Sequence, residues 1–263
     1  MVSRLAFRRE IERTFLGDST IRPFVVKRLT KRQNVIYLLS GIEMAIISVS
    51  ANIPGSSTDL RYLERGGYLM AKVLMGPGPF LYPTPVVLVG ANVDSKPNFM
   101  AVAWCGIVNS EPAMVSIAIR HHRHTHKGIT QNLTFSVNIP STEMVRETDY
   151  CGIISGRKVD KVEVCQFKVF YGKLGNAPLI EQCPVNLECQ TMQMLDLGSH
   201  SLFIGRIEES YISESCLTDG KPDVDKINPF AYIVDPDREY RALGEVVAKA
   251  FSIGSELKVR DNR

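Results

Sequence analysis

Short apolar runs separated by turn-forming clusters fill the chain from about Val73 onward, the patterning of β-strands joined by tight connections. The runs are V-V-L-V-G (86–90), F-M-A-V-A-W (99–104), M-V-S-I-A-I (114–119), T-F-S-V-N-I (134–139), V-N-L-E-C-Q-T-M-Q-M-L (185–195), H-S-L-F-I-G-R-I (200–207) and F-A-Y-I-V (230–234). Three segments read as helical instead: residues 126–132 with Thr125 as their N-cap, residues 141–150 behind Pro140, and residues 243–251. Many strands with few helices predict a mainly β fold, a barrel rather than a doubly wound sheet. No G-x-G-x-x-G follows a strand and there is no Walker sequence, which argues against a separate dinucleotide domain or a P-loop. The G-P-G-P at 76–79 reads as a turn.

Residues 1–70 are patterned differently. A basic arm (Arg4, Arg8, Arg9, Arg13, then Lys27, Arg28, Lys31 and Arg32) precedes the apolar stretch 35–53, which approaches a membrane span in length but contains Glu43. A positive flank before an apolar run is the pattern of a signal anchor. The length of that flank, the shortness of the run and its central acid favour instead an appended extension, disordered or lying upstream of a native start at Met70 or Met75. Residues 54–57 mark a linker, so the expected division is an extension over 1–70 and a single domain over 71–263.

The composition, 44% hydrophobic and 22% charged over 263 residues, suits a globular protein with a sizeable core. Its net charge of +3 is unevenly placed: residues 1–70 carry 11 Lys and Arg against 6 Asp and Glu, which leaves 20 against 22 for the remainder. With that balance, and without a helix-turn-helix, zinc-finger or RNP pattern, the main domain does not read as a nucleic-acid binder. The cysteines (Cys105, Cys151, Cys165, Cys183, Cys189 and Cys216) are scattered without C-x-x-C or zinc-ribbon spacing. Neither a disulfide framework nor a metal knuckle is indicated, and a reducing cytoplasm is the expected setting.

The densest chemistry lies in R-H-H-R-H-T-H-K-G-I (120–129), a turn between a strand and a short helix. At a helix amino end the first backbone N–H groups lack intrahelical partners and the dipole is positive, so Arg120, Arg123, His124 and Thr125 are candidates to converge on a phosphate. A solvated basic loop is the alternative. A metal site built on His122 and His126, spaced i, i+4, is disfavoured because Arg120, Arg123 and Lys127 repel a dication.

Taken in order, five pieces resemble the flavin reductase-like family, the FMN-binding split β-barrels that include flavoredoxin. They are N-F-M-A-V-A-W-C-G from Asn98, S-I-A-I-R-H-H-R-H-T-H-K-G-I from Ser116, F-S-V-N-I-P from Phe135, D-Y-C-G-I-I-S-G-R-K-V-D-K from Asp149, and A-P-L-I-E-Q-C-P-V-N-L-E-C followed by L-G-S-H-S-L-F-I-G-R-I. The resemblance covers roughly residues 79–254 and implies non-covalent FMN, usually at a homodimer interface. It sets the phosphate on the turn, with Arg123 and Thr125 in the family's Arg and Ser/Thr positions. The residues Met100, Ala101, Val102, Ala103 and Trp104 then run beside the isoalloxazine edge, and Asn98 bonds a flavin carbonyl or closes a turn. His121 and His122 depart from the Pro and acid often found there. His200 matches the histidine of the family's G-D-H segment, near the approach of a nicotinamide, with Ser199 in place of the acid, so it is either catalytic or a buried structural histidine. Trp104 is either a flavin contact or a core aromatic, and Asp160 with Lys161, the family's D-K pair, reads as an ion pair. The implied activity is an oxidoreductase passing electrons from NAD(P)H or a protein donor through FMN to flavin, iron or a redox partner. An electron carrier without a small substrate and a flavin-storage protein are the alternatives. A membrane enters only if residues 35–53 act as an anchor.

Overall fold

The computed structural model describes residues 35–40, 43–48, 72–234 and 236–257. The chain divides into two units, Met1–Val73 and Leu74–Arg263. In the first, β1 (Val35–Ser40) and β2 (Glu43–Ser48) pair antiparallel, Val35 opposite Ser48 and Ser40 opposite Glu43. The described part of the apolar stretch is therefore a pair of antiparallel strands, and among the described residues no helix is long and apolar enough to cross a membrane. The expected linker at 54–57 and the start at Met70 lie outside the described residues.

The second unit is mainly β. Its elements in chain order are β3 (Thr84–Pro85), β4 (Val87–Val93), β5 (Lys96–Val102), β6 (Cys105–Ser110), β7 (Ala113–Arg120), α1 (His124–Asn132) and β8 (Thr134–Ile139). A 3-10 turn (Thr142–Met144) leads into α2 (Val145–Ile153), then α3 (Lys161–Val164), β9 (Val169–Tyr171), β10 (Pro178–Ile180), β11 (Val185–Asp196) and β12 (His200–Ile212). The short β13 (Leu217–Thr218) and β14 (Lys221–Pro222) precede β15 (Phe230–Ile233) and β16 (Glu239–Ala242).

One seven-stranded antiparallel sheet runs β5-β4-β8-β11-β12-β7-β6. Alternate residues of its strands point to opposite faces, and Val87, Val89 and Ala91 of β4, Met100 and Val102 of β5, Val115, Ile117 and Ile119 of β7, Phe135 and Val137 of β8 and Phe203 of β12 share one buried cluster. Strands near opposite ends of the sheet thus fill the same interior, which means that the sheet curls into a barrel. Burying such a side chain contributes about 1.5–3 kcal/mol, so the inward set dominates the fold's stability. The other face of β4 and β5 supplies Leu88 and Phe99 to a second cluster with Met144, Cys151, Phe167, Ile180 and Cys183.

Beneath that face lies a buried polar knot. Asn138 Nδ2 donates to Leu88 O at 2.9 Å and to Ser136 Oγ at 2.9 Å, while its Oδ1 accepts from Ile180 N at 3.0 Å and from Asn186 Nδ2 at 2.8 Å. Every polar atom of that amide therefore has a partner, as burial demands.

The helical expectations are met unevenly. Residues 141–150 split into a 3-10 turn and α2, which runs on to Ile153. Residues 243–251 contain no helix: the chain runs without regular structure until a 3-10 turn at Ile253–Glu256. Val246 and Val247 stand almost fully exposed there, so no neighbouring surface rewards an amphipathic helix, and Gly244 with two β-branched valines disfavours one. The strand β6 was hidden from sequence patterning because almost all of it is exposed on both faces.

Candidate functional site

β5 is an edge strand of the sheet, so one side of its backbone is not taken up by a neighbouring strand. Met100 and Val102 commit their side chains to the barrel core, and Ala101 packs toward the second cluster. What this segment offers a ligand is therefore its backbone edge, together with Ala103 and Trp104 beyond its end.

Asn98, buried on the same strand, donates from Nδ2 to Thr125 Oγ1 at 2.7 Å. This bond displaces the expected cap. Thr125 is in the first turn of α1, its hydroxyl occupied by Asn98, and the N-cap is Arg123 at φ −70° and ψ 141°, with no side-chain cap. The first-turn amides of α1 consequently keep no side-chain acceptor, the condition for an anion site. Gly128 lets α1 lie close on β4, because a Cβ there would collide with Asn92 O.

Arg123 is half-buried, and its guanidinium donates to Gly152 O, near the carboxyl end of α2, at 2.8 Å. Burial, followed by the neighbouring Arg120, presses its pKa down. His124 Nδ1 is buried without a hydrogen-bond partner, and burial, followed by Arg157, lowers that imidazole's pKa. Lys127 and Lys161 also lower it, and Asp94 opposes them. Beside this imidazole opens a polar cleft of about 420 Å³ whose wall joins Asn98 and His124 to the cations Arg157, Lys158 and Lys161 and the acids Asp94 and Asp160.

The D-K pair is not an ion pair. Asp160 caps α3, its Oδ1 accepting from Val162 N at 2.9 Å and Glu163 N at 3.2 Å. Lys161, only 4% exposed, turns inward and donates to Phe99 O at 2.8 Å and Cys151 O at 2.9 Å. Desolvation lowers its pKa to about 8. The segment 155–161 was visible only as part of a family motif; its glycine next to basic residues was the signal that it forms a cleft wall.

At the far end of β7, Arg120 lies opposite His200 of β12. Trp104 is 42% exposed, which rules out the core role, and its ring lies 4.5 Å from that of His200 at 36°. His200 is half-buried, shares a hydrogen bond with Ser199 Oγ at 2.8 Å, and has its pKa lowered by burial and then by Arg120. Ala103, Trp104 and Leu202 line an apolar groove of about 390 Å³ along with Leu81. Of the other histidines, His121 sits 3.3 Å from Asp196, and His126 shares a hydrogen bond with Ser201 Oγ at 2.8 Å. Among the described residues no three His, Cys, Asp or Glu gather in a metal-ligating group.

A mainly β barrel with an edge strand, a helix end without a side-chain cap and an apolar groove is the frame of the site. Residues 80–242 match the family described as flavin reductase like domain, and the chain belongs to that family. Among solved structures it is similar to a flavoredoxin from Methanosarcina acetivorans at 40% identity and a TM-score of 0.69, with 72% of this chain and 100% of that one covered. A flavoredoxin of Desulfovibrio vulgaris (Miyazaki F) matches at 38% and 0.65, over 70% and 100%. An FMN-binding protein from Thermus thermophilus matches at 25% and 0.58, over 69% and 100%.

Proposed function

We propose that this chain binds FMN and works as an oxidoreductase, taking reducing equivalents from NAD(P)H or a protein donor and passing them to flavin, iron or a redox partner. The observation that carries this reading is the Asn98–Thr125 hydrogen bond, which fastens the open edge of β5 to the amino end of α1. FMN requires those two features side by side: backbone donors and acceptors for its pyrimidine rim and a positive, uncapped turn for one terminal phosphate. The residues present fit it. Arg120, Arg123, His124 and Thr125 would hold the phosphate, Asn98 and the backbone of residues 100–104 would serve the ring, and Trp104 with His200 would border the approach of the donor. When bound, FMN supplies the electron chemistry; the chain supplies position, charge and exclusion of water.

Titration of the flavin-free protein with FMN and FAD tests this directly. The expected result is a yellow protein that prefers FMN, and a protein that stays colourless in excess FMN sinks the reading. Arg123→Ala weakens FMN binding roughly tenfold or more, through the loss of charged hydrogen bonds worth about 1.5–3 kcal/mol. Equilibrium fluorescence titration reads that change, and an unchanged affinity moves the phosphate elsewhere. His200→Ala slows single-turnover reduction by NAD(P)H and leaves FMN affinity nearly intact, because the residue positions the donor. Loss of flavin and of thermal stability together assigns His200 a structural role instead.

The likeness to the flavoredoxins favours a second reading, an electron carrier that NADH and NADPH leave oxidised. We also infer a homodimer, since the edge strand β6 leaves Ile107 69% exposed with Val108 beside it, and light scattering checks that mass.

A further inference from the structure

The apolar groove beside Trp104 has a stiff wall and an aromatic lining. The wall is the proline-rich segment 79–85, whose Pro79, Pro83 and Pro85 restrict the backbone. β3 fastens that segment by pairing with β15, where Thr84 Oγ1 donates to Tyr232 O at 3.0 Å. Trp104 O accepts from Ala118 N at 2.9 Å, which anchors the base of the indole, while the ring lies against His200 and stays partly exposed. Among the described residues that line the groove, none carries a charged side chain. Its two hydroxyls donate to backbone carbonyls, Thr84 to Tyr232 O and Ser116 to Gly106 O at 3.3 Å, and burial keeps the Cys105 thiol protonated, its pKa pushed up to about 12. The volume of about 390 Å³ falls in the range of small-molecule sites.

We propose that this groove binds an uncharged, planar fused-ring molecule of the quinone class, stacked on Trp104 between Leu81 and Leu202. A phosphate, a carboxylate or a ribose loses its water on entering and meets neither a counter-charge nor a free hydroxyl donor there. A flat ring with only carbonyl oxygens at its rim loses little water and gains the face of the indole. The proposal rests on the FMN reading only in making such a molecule the electron acceptor; the binding follows from the lining. In that role the quinone takes up the two electrons and two protons that reduced flavin gives up, and leaves as the quinol. A second copy of the chain is the competing occupant, because β6 begins at Cys105 on the groove's rim. The exposed Ile107 and Val108 lie further along that strand, outside the lining, so contact between copies along β6 does not require the groove.

Trp104 is the only tryptophan, so the isotope-labelled full chain has a single indole N–H resonance. The flavin-free chain is titrated with dimethylnaphthoquinone, whose quinone ring is methylated at both positions a thiol would attack. Equilibrium dialysis measures the affinity in the absence and in the presence of saturating FMN. The expected result is a saturable shift of that resonance and an affinity that FMN leaves unchanged, with the anion naphthalene sulfonate bound at least about tenfold more weakly. Trp104→Ala weakens binding of the quinone roughly tenfold or more, and Leu81→Asp, at an exposed position, roughly fivefold or more. An unmoved indole signal, displacement of the quinone by FMN, sulfonate binding as tight as the quinone's, or full affinity in Leu81→Asp overturns the assignment. The first result in a dimeric chain gives the groove to a second copy, and the second result gives it to the flavin. Quinone binding without uptake of FMN sinks the FMN reading alone, and uptake of FMN without quinone binding sinks the groove alone.

Discussion

Lys161→Met lowers the free energy of unfolding by about 2 kcal/mol at neutral pH, because two buried carbonyls lose their donor and each unsatisfied group costs about 1–3 kcal/mol. One of them, Cys151 O, belongs to the last turn of α2, where a cation also meets the negative end of the helix. The deficit grows in alkali. With a folded pKa of about 8 against the usual 10.5, Lys161 sheds its proton in the folded protein before it does so in the unfolded chain. Between those values the unfolded state binds more protons, so this residue's contribution rises with pH, while the neutral amine still donates to both carbonyls. Urea denaturation of both proteins at pH 7 and pH 10 reads the effect; a constant difference at the two values contradicts the buried, deprotonating amine.

The second large effect is expected from the smallest side-chain change in the site. Gly156→Ala sets a Cβ against Asn98 Oδ1, with which it collides outright, and 3.0 Å from His124 Cδ2. Asn98 cannot yield without abandoning Thr125, since its own amide is held there at 2.7 Å. Overpacking of this sort costs about 1–3 kcal/mol. Because the collision falls where the strand edge meets the helix, FMN affinity drops by at least about tenfold along with stability. Calorimetry and FMN titration on the same sample measure both. Normal FMN affinity in a folded Gly156→Ala protein shows that Asn98 and His124 lie apart from the ligand.

The barrel was legible because its strands alternate cleanly: M-V-S-I-A-I places Val115, Ile117 and Ile119 inside, and the antiparallel order follows from such runs joined by turns. The basic turn was legible as a concentration of cations before a helix, and the helix follows it at His124–Asn132. Less visible was which residue caps that helix, since the choice between Arg123 and Thr125 depends on Asn98, 27 positions away. Lys161 could not be placed by charge arithmetic for the same reason. A neighbouring acid suggests a pair, yet Asp160 is claimed by the amides of α3 and the lysine's carbonyl partners announce nothing in sequence. Trp104 likewise could be a core or a surface aromatic until the chain beyond β5 was seen to turn out of the barrel. The fate of residues 243–251 turned on having no surface to pack against, which composition does not record.

The knot around Asn138 has a further consequence for assembly of the barrel. It touches β4, β8, β10 and β11 at once, through backbone groups of Leu88 and Ile180 and the side-chain amides of Asn138 and Asn186, and the two amides meet only while β8 and β11 turn them to the same face. A slip of one position would turn Asn138 and Asn186 to the opposite face and strand their amides among aliphatic side chains. Aliphatic packing alone tolerates many alignments of Val against Ile; two strands whose amides must meet at 2.8 Å tolerate far fewer. The knot therefore works as a proofreading lock, spending polar groups to reject misaligned sheets that the hydrophobic pattern by itself would accept.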